Sequence, residues 1–188
     1  MTNLDELIQY AKAFSGLTPE LEACLKEIAP AITPHLKSVT DSFYDDLGAI
    51  PNAANYLDGR IDKLKATHLN WLTGLFTMAV DTEFAQSMYQ VGETHFKISL
   101  PVEFMVGSMA LLNNEFTLVV FKVFGDDPAE CSKILRAISA VSALSLMLML
   151  MKMEQCYRES TIAEELEKFL SISGMSRTLF TNLANAYN

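Results

Sequence analysis

The sequence predicts an all-α fold, and three features of the chain support this prediction. Apolar residues recur at three- and four-residue steps in several segments, as one face of an amphipathic helix requires. No window shows sustained apolar–polar alternation with β-branched residues, which is the pattern of a half-buried strand. Helix-start signals are frequent: Pro19 follows Thr18, Pro34 follows Thr33, and the segment 127–130 reads DPAE.

The periodicity and these start signals place the helices along the chain. In chain order, the predicted helices lie near 4–14, 19–29, 34–49, 60–80, 83–96, 101–124 and 128–158, with a weaker one near 161–170. Between them, segment 49–60 (AIPNAANYLDGR) is rich in turn-forming residues, and we expect a corner of short turns there. Gly125 is placed to end the helix that precedes DPAE.

Composition narrows the classes of function. The chain has 188 residues, half of them hydrophobic, which suits one domain with a sizeable core. Its net charge of −9 argues against nucleic acid as a partner. The three cysteines, Cys24, Cys131 and Cys156, form no C-x-x-C pair. This pattern argues against a disulfide framework or a zinc site and favours the reducing cytoplasm. Asp5 and Glu6 stand where a signal peptide would carry basic residues.

One apolar segment has to be distinguished from a membrane span. Residues 137–151 (AISAVSALSLMLMLM) carry no charge, but Arg136 and Lys152 bracket them. These 15 residues fall short of the roughly 20 that a spanning helix needs. We therefore expect a helix buried on several sides and no membrane partner.

Two histidines lie on apolar faces of successive predicted helices. His68 is four residues after Leu64 on the apolar face of the 60–80 helix, and Thr67 lies at the edge of that face. His95 lies among apolar residues in segment 89–105 (YQVGETHFKISLPVEFM). A lone histidine on such a face is more often a hydrogen-bonded core residue than a ligand, and no H-x-x-x-H or E-x-x-H motif is present. Spacing alone leaves both interpretations open.

Three ordered segments resemble a known family. Segment 91–109 (VGETHFKISLPVEFMVGSM) resembles the proximal segment of globin-coupled sensors, whose pattern is roughly I-G-x-x-H-x-x-I-G-L-P-x-x-[WF]. Segment 41–57 (DSFYDDLGAIPNAANYL) is similar to the family's F-Y-D-x-L-x-x-x-P-x-x-x-x-[FY]-L segment, and 63–76 (KLKATHLNWLTGLF) resembles its distal helix. Two residues depart from the pattern: Ser99 replaces the usual glycine, and Phe104 stands where tryptophan is commoner.

The resemblance covers about residues 10–158 and is closest to the sensor half of globin-coupled diguanylate cyclases. It implies a globin fold with an extra N-terminal helix and haem b as cofactor. His95 would then be the proximal ligand of the haem iron, with its other ring nitrogen held by a carbonyl such as that of Val91 or Glu93. Tyr44 would be the distal hydrogen-bond donor to a bound gas. The pocket residues implied in this way are Phe43, Tyr44, Leu64, Thr67, His68, Met88, Val91, His95, Ile98, Leu100, Phe104 and Met105.

The role of His68 stays open at this point. Its position one turn after Leu64 would direct it into the distal pocket, where it could bind the iron as a sixth ligand. It could equally stay off the iron, with Thr67 facing the gas. Members of the family include both coordination types.

The helices at 101–124 and 128–158 are expected to form a homodimer contact. The second is too apolar to have a solvent face, and an exposed apolar patch of that size usually marks an interface. In the family, the last two globin helices of each subunit form such a contact. Small residues such as Ala137, Ala140 and Ala143 would permit close approach, and the methionines can repack when the interface shifts.

The resemblance divides the chain into a sensor globin domain at 1–158 and a linker, or the start of an output domain, at 159–188. A regulated output such as a diguanylate cyclase would lie C-terminal to this chain, which is itself expected not to be an enzyme. The expected function is a cytoplasmic gas sensor that binds O2, and also CO or NO. The alternative is a haem-free globin-like module with a structural or interaction role.

Overall fold

The computed structural model describes residues 4–173 and 176–186, and all regular structure within these ranges is helical. The nine α-helices there are α1 (Leu4–Ser15), α2 (Pro19–Ile32), α3 (Leu36–Gly48), α4 (Pro51–Ala54), α5 (Ile61–Thr77), α6 (Thr82–Lys97), α7 (Val102–Phe124), α8 (Pro128–Ser173) and α9 (Arg177–Ala186). A 3-10 turn, Thr33–His35, joins α2 to α3. The predicted fold class is confirmed.

Helix α8 is the centre of the fold. It packs against α6 and α7 most extensively, and also against α1 and α2. Its fully buried face includes Ile134, Ile138, Val141, Leu144 and Leu148. On the other side of the core, α3 packs against α5 and α7. The histidine helices α5 and α6 thus belong to different packing layers, one anchored on α3 and the other on α8.

Some of the predicted helix starts are confirmed, and one is wrong. The Thr18 hydroxyl accepts a hydrogen bond from the Leu21 backbone N–H, and the Asp127 carboxylate accepts two from the backbone at the start of α8. Thr33 was expected to cap a helix starting at Pro34. Instead, its hydroxyl donates to the Ala29 carbonyl at 2.7 Å, because α2 runs on through Pro30 into the 3-10 turn.

Helix α8 is longer than the sequence predicted. The expected break between 158 and 161 is absent, and the weaker helix predicted near 161–170 is part of α8. No glycine or proline occurs between 129 and 173 to end the helix. Its exposed second half is also supported by a pair one turn apart, in which Arg158 contacts Glu154 at 3.0 Å.

Helix α9 was not predicted at all. It folds back on the end of α8, where the ring of Phe180 packs edge-on against Phe169 with centroids 6.3 Å apart. Arg177 also pairs with Glu167. The described part of the tail beyond residue 159 is therefore largely helical.

By length and composition, both α7 and α8 are apolar enough to cross a membrane. In α8, however, 56% of the most apolar window is buried inside the protein, as expected for the core helix of a globular domain. The opposite side of α8 carries an open groove of about 860 Å³, which we call the α8 groove. The residues lining the α8 groove are Val102, Ala143, Leu146, Met147, Leu150, Met151, Met153, Glu154, Tyr157, Arg158, Thr161 and Ile162.

Candidate functional site

Four ring side chains from α3 and α5 form a compact cluster, which we call the distal cluster. Its members are Phe43, Tyr44, His68 and Trp71. The His68 ring stacks on Phe43, with centroids 4.6 Å apart and planes at 22°. Trp71 lies 5.3 Å away at 32°, and Tyr44 meets the His68 ring edge-on at 5.5 Å. The imidazole is thus held by three aromatic neighbours.

Burial sets the protonation of the distal cluster. Tyr44 is 7% exposed, and this burial raises its pKa to about 12, so its phenol stays protonated even well above neutral pH. Burial lowers the pKa of His68 to about 4, so this imidazole is neutral. Although His68 as a whole is half-buried, its Nδ1 atom is shielded from solvent, as is Nε1 of Trp71, and neither has a hydrogen-bond partner among the described residues.

The second histidine lies near the C-terminal end of α6. This helix begins at Asp81, whose carboxylate accepts hydrogen bonds from the N–H groups of Glu83 and Phe84. His95 is half-buried, and burial lowers its pKa, while the Val91 carbonyl one turn back raises it in part. That carbonyl is close enough to act on the imidazole, but within the part of the chain that the structure describes, Nδ1 of His95 makes no hydrogen bond of good geometry. Neutral imidazole is again the favoured form.

The chain turns sharply directly after His95. Ser99 has a φ of +54°, a left-handed conformation that suits glycine better than other residues. Its carbonyl accepts a hydrogen bond from the Tyr56 hydroxyl at 3.3 Å, and the Tyr56 ring packs edge-on against Phe104. The corner between α4 and α5 therefore braces the α6–α7 turn. A glycine at this position would adopt the conformation without strain.

The other expected pocket residues differ in burial. Met88 and Met105 are buried, like Phe43 and Tyr44. The half-buried residues are Leu64, Val91, Ile98, Leu100 and Phe104, together with the two histidines. Thr67 is exposed, and its hydroxyl donates a hydrogen bond to the Lys63 carbonyl at 3.0 Å. Its hydroxyl proton is therefore not free for a ligand.

The expected residues therefore come together in two groups. Phe43, Tyr44 and His68 are in contact in the distal cluster, whereas none of the ring contacts within the described ranges joins His95 to that cluster. His95 instead belongs to the layer formed by α6 and α8.

Sequence reasoning missed three residues that shape the site. Trp71, three residues after His68, contacts the imidazole of His68. Tyr56 braces the turn after His95 over a separation of 43 residues, which no local pattern reveals. Gly92 lies one turn before His95 within the family motif, and its backbone touches α8. Only Gly92 had a visible signal, namely its place in the motif.

Comparison with solved structures gives the same fold. The chain is similar to the globin domain of the Geobacter sulfurreducens globin-coupled sensor, with 26% identity and a TM-score of 0.69 over 75% of this chain and 93% of that one. It also resembles the globin domain of Escherichia coli DosC in its ferric form, with 23% identity and a TM-score of 0.63 over 74% and 97% of the two chains. At that identity the second match shows the fold alone.

Comparison with curated protein sequences gave no significant match. The Protoglobin family profile, in contrast, matches residues 4–159, most of the chain. This confirms the resemblance drawn from the three motifs. Globin domains of this type are not themselves catalytic. The chain therefore belongs to the Protoglobin family, whose domains bind haem b.

Proposed function

We propose that the chain is a haem-based gas sensor domain, in which His95 holds the haem iron and Tyr44 faces the gas. Three observations carry this proposal: residues 4–159 match a family that binds haem b, His95 on α6 has a shielded Nδ1 without a hydrogen-bond partner among the described residues, and the Tyr44 phenol on α3 is buried. When bound, haem would supply an iron atom that can bind O2, CO or NO. The remaining roles fall to this chain's own residues.

The residues present fit such a group on the proximal side. Iron binds the lone pair of a neutral imidazole, and burial favours that form of His95. The Val91 carbonyl is the nearby acceptor that favours a proton on Nδ1, which leaves Nε2 available to a metal. The Nδ1 atom is shielded from solvent and has no better partner among the described residues.

On the distal side, Tyr44 is the donor that we assign to the gas. Its phenol is protonated at neutral pH, as an ordinary tyrosine is, and burial raises its pKa further, to about 12. A hydrogen bond from a neutral donor to a partly charged ligand is stronger than one to an apolar ligand, so this site would favour O2 over CO. Thr67 is unsuited to the role because its hydroxyl is already donated to Lys63.

We propose further that His68 stays off the iron. Its ring is stacked on Phe43 and flanked by Trp71 and Tyr44. Aromatic contacts of this kind contribute about 0.5–1.5 kcal/mol each, and ligation would require the ring to leave them. In this role His68 packs against Tyr44 and helps to fix the orientation of the phenol.

The residues that would hold the porphyrin belong to α3, α5, α6, α7 and the turn between α6 and α7. The apolar side chains that we assign to its faces and edges are Phe43, Leu64, Met88, Val91, Ile98, Leu100, Phe104 and Met105. Their mixture of buried and half-buried positions suits a slot that is apolar inside and open at one edge.

Signal transmission would pass through a homodimer formed by α7 and α8. The α8 groove is apolar along its floor, and the small residue Ala143 permits close approach of a second helix. At its rim, Glu154 and Arg158 pair with each other. In a copy related by a two-fold axis, the same two residues run in the opposite direction. The acidic residue of one copy can then face the basic residue of the other. A second copy of this chain is therefore the partner that we assign to the groove.

We place the sensor globin domain at 1–158 and a linker to an output domain at 159–188, with α8 continuous across that boundary. The chain itself would have no catalytic role, and its output would be a regulated enzyme such as a diguanylate cyclase. The three cysteines are free, and Cys24 and Cys131 are buried, which supports a cytoplasmic location.

An absorbance spectrum of the purified protein tests this function. The wild type is expected to show a Soret band in the ferric and ferrous states, and separate shifts when O2 or CO is added. A five-coordinate ferrous spectrum would support the assignment of His68 off the iron. A protein that shows no Soret band after expression with added haem precursor, and that does not take up hemin afterwards, would instead be a haem-free module.

A further inference from the structure

The helix that carries His95 touches α8 with its backbone. A Cβ atom built on Gly92 would lie 2.3 Å from the carbonyl oxygen of Met149, and 3.0 Å from the carbonyl carbon and Cα of the same residue. Real Cβ atoms do not approach this closely, so any other residue at Gly92 would push α6 away from α8. The obstacle is main chain, which a change of rotamer cannot remove.

A second contact joins the two helices one turn further on. The ring of Phe96, the residue after His95, packs edge-on against Tyr157 of α8 with centroids 4.8 Å apart and planes at 87°. Tyr157 is 43% exposed and lines the α8 groove. Gly92 and Phe96 are four residues apart and therefore share one face of α6. His95 lies between them in sequence and about 60° from Gly92 around the helix.

We infer that Gly92 and Phe96 are positioning residues for His95, which fix α6 against α8 at two points and tie the position of the imidazole to the α8 groove. This inference rests on the proposed proximal role of His95. Gly92 sets how closely the axes of α6 and α8 approach. Phe96, through its contact with Tyr157, sets the position of α6 along the axis of α8. Any displacement of His95 along or away from α8 must then change one of the two contacts, and the second of them lies on the surface assigned to the partner copy.

The chain offers a matched control for Gly92. Gly107 lies inside α7, and a Cβ atom built there meets nothing within 4 Å. Both changes replace a helical glycine by alanine, so their effects on helix propensity are the same, and only Gly92→Ala adds a steric conflict. For the ring pair, Tyr157→Leu is matched by Tyr10→Leu, since Tyr10 is an exposed tyrosine on α1 paired with Phe14.

The first measurement uses the haem-free protein and therefore does not depend on the proposed function. Hydrogen–deuterium exchange of the α6 peptide is expected to speed up by roughly tenfold or more in Gly92→Ala, the factor that corresponds to about 1.4 kcal/mol of lost packing. The same peptide should exchange at the wild-type rate in Gly107→Ala. Equal rates in Gly92→Ala and wild type would overturn the role of Gly92.

The second measurement uses the haem-loaded protein. In Phe96→Leu and Tyr157→Leu, the iron–histidine stretching band of the ferrous form is expected to shift, whereas Tyr10→Leu keeps the wild-type band. Unchanged bands in both variants would overturn the inference while the proposed function stands. If Gly92→Ala fails to fold while Gly107→Ala folds, the bands of Phe96→Leu and Tyr157→Leu decide whether the inference holds. A wild type without haem would instead refute the proposed function, and the exchange result would still stand.

Discussion

Protonation of His68 should destabilise the haem-free protein as the pH falls. In the folded chain, burial lowers the pKa of this imidazole to about 4 from an ordinary value of 6.5. The unfolded state therefore binds more protons than the folded state between these two values. By linkage, the stability that His68 provides is fully present above pH 6.5 and is lost as the pH falls toward 4. The titratable group that faces it, Tyr44, stays neutral throughout because its pKa is about 12.

The size of the effect follows from the same two pKa values. At pH 5 an unfolded His68 is almost fully protonated, whereas the folded residue is almost fully neutral. Each pH unit between 6.5 and 5 costs about 1.4 kcal/mol, which gives about 2 kcal/mol. Because the side chain is only half-buried, partial screening by solvent reduces this to about 1–2 kcal/mol.

Urea unfolding of haem-free wild type and His68→Gln, followed by circular dichroism at pH 7.5 and pH 5, measures this difference. The variant has no imidazole at this position, while His95 and the surface carboxylates titrate in both proteins and cancel in the comparison. Wild type is expected to lose about 1–2 kcal/mol more than His68→Gln between the two pH values. Equal losses would show that His68 charges freely in the folded protein, and the reasoning from the distal cluster would be wrong.

Three further changes test other parts of the account. Tyr44→Phe removes one hydrogen bond of about 1.5–3 kcal/mol to bound O2, so O2 should dissociate faster by roughly one to two orders of magnitude in a stopped-flow displacement assay. The affinity for CO should change little. Equal shifts for both gases would indicate that Tyr44 has a steric role. Ser99→Gly relieves a left-handed φ of +54° and should raise the free energy of unfolding by about 0.5–1 kcal/mol in a thermal melt. A lower melting temperature would contradict the claim that the Ser99 backbone is strained. Leu150→Glu places a charge in the α8 groove and should convert the proposed dimer to monomer in analytical ultracentrifugation, whereas Phe14→Glu, at an exposed position of α1, should not. A Leu150→Glu protein that sediments as a dimer would exclude the groove as the interface.

Local signals predicted most of the helices. Thr18 and Asp127 do cap α2 and α8, because a capping side chain acts on N–H groups two or three residues away and needs no tertiary context. The break expected near residue 158 was wrong, since the change from an apolar to a charged surface there reflects exposure rather than the end of the helix. Thr33 was misplaced as a cap because a proline in the last turn of α2 did not end that helix.

The site was only partly predictable, for physical reasons that differ between residues. His68 could be placed on an apolar face from its spacing, but its aromatic partner Phe43 is 25 positions away on another helix. The strain at Ser99 is a backbone property, and the sequence showed only the absence of the usual glycine. The need for glycine at position 92 arises where two backbones meet, and that contact depends on how α6 crosses α8.

The most direct test of the central assignment is the haem content and ferrous spectrum of His95→Ala. If His95 is the proximal ligand, the variant should purify with little haem, and supplied imidazole should restore haem binding and a near-wild-type Soret band. His68→Gln, prepared in parallel, should keep its haem. A His95→Ala protein with normal haem content and an unchanged ferrous spectrum would contradict the assignment.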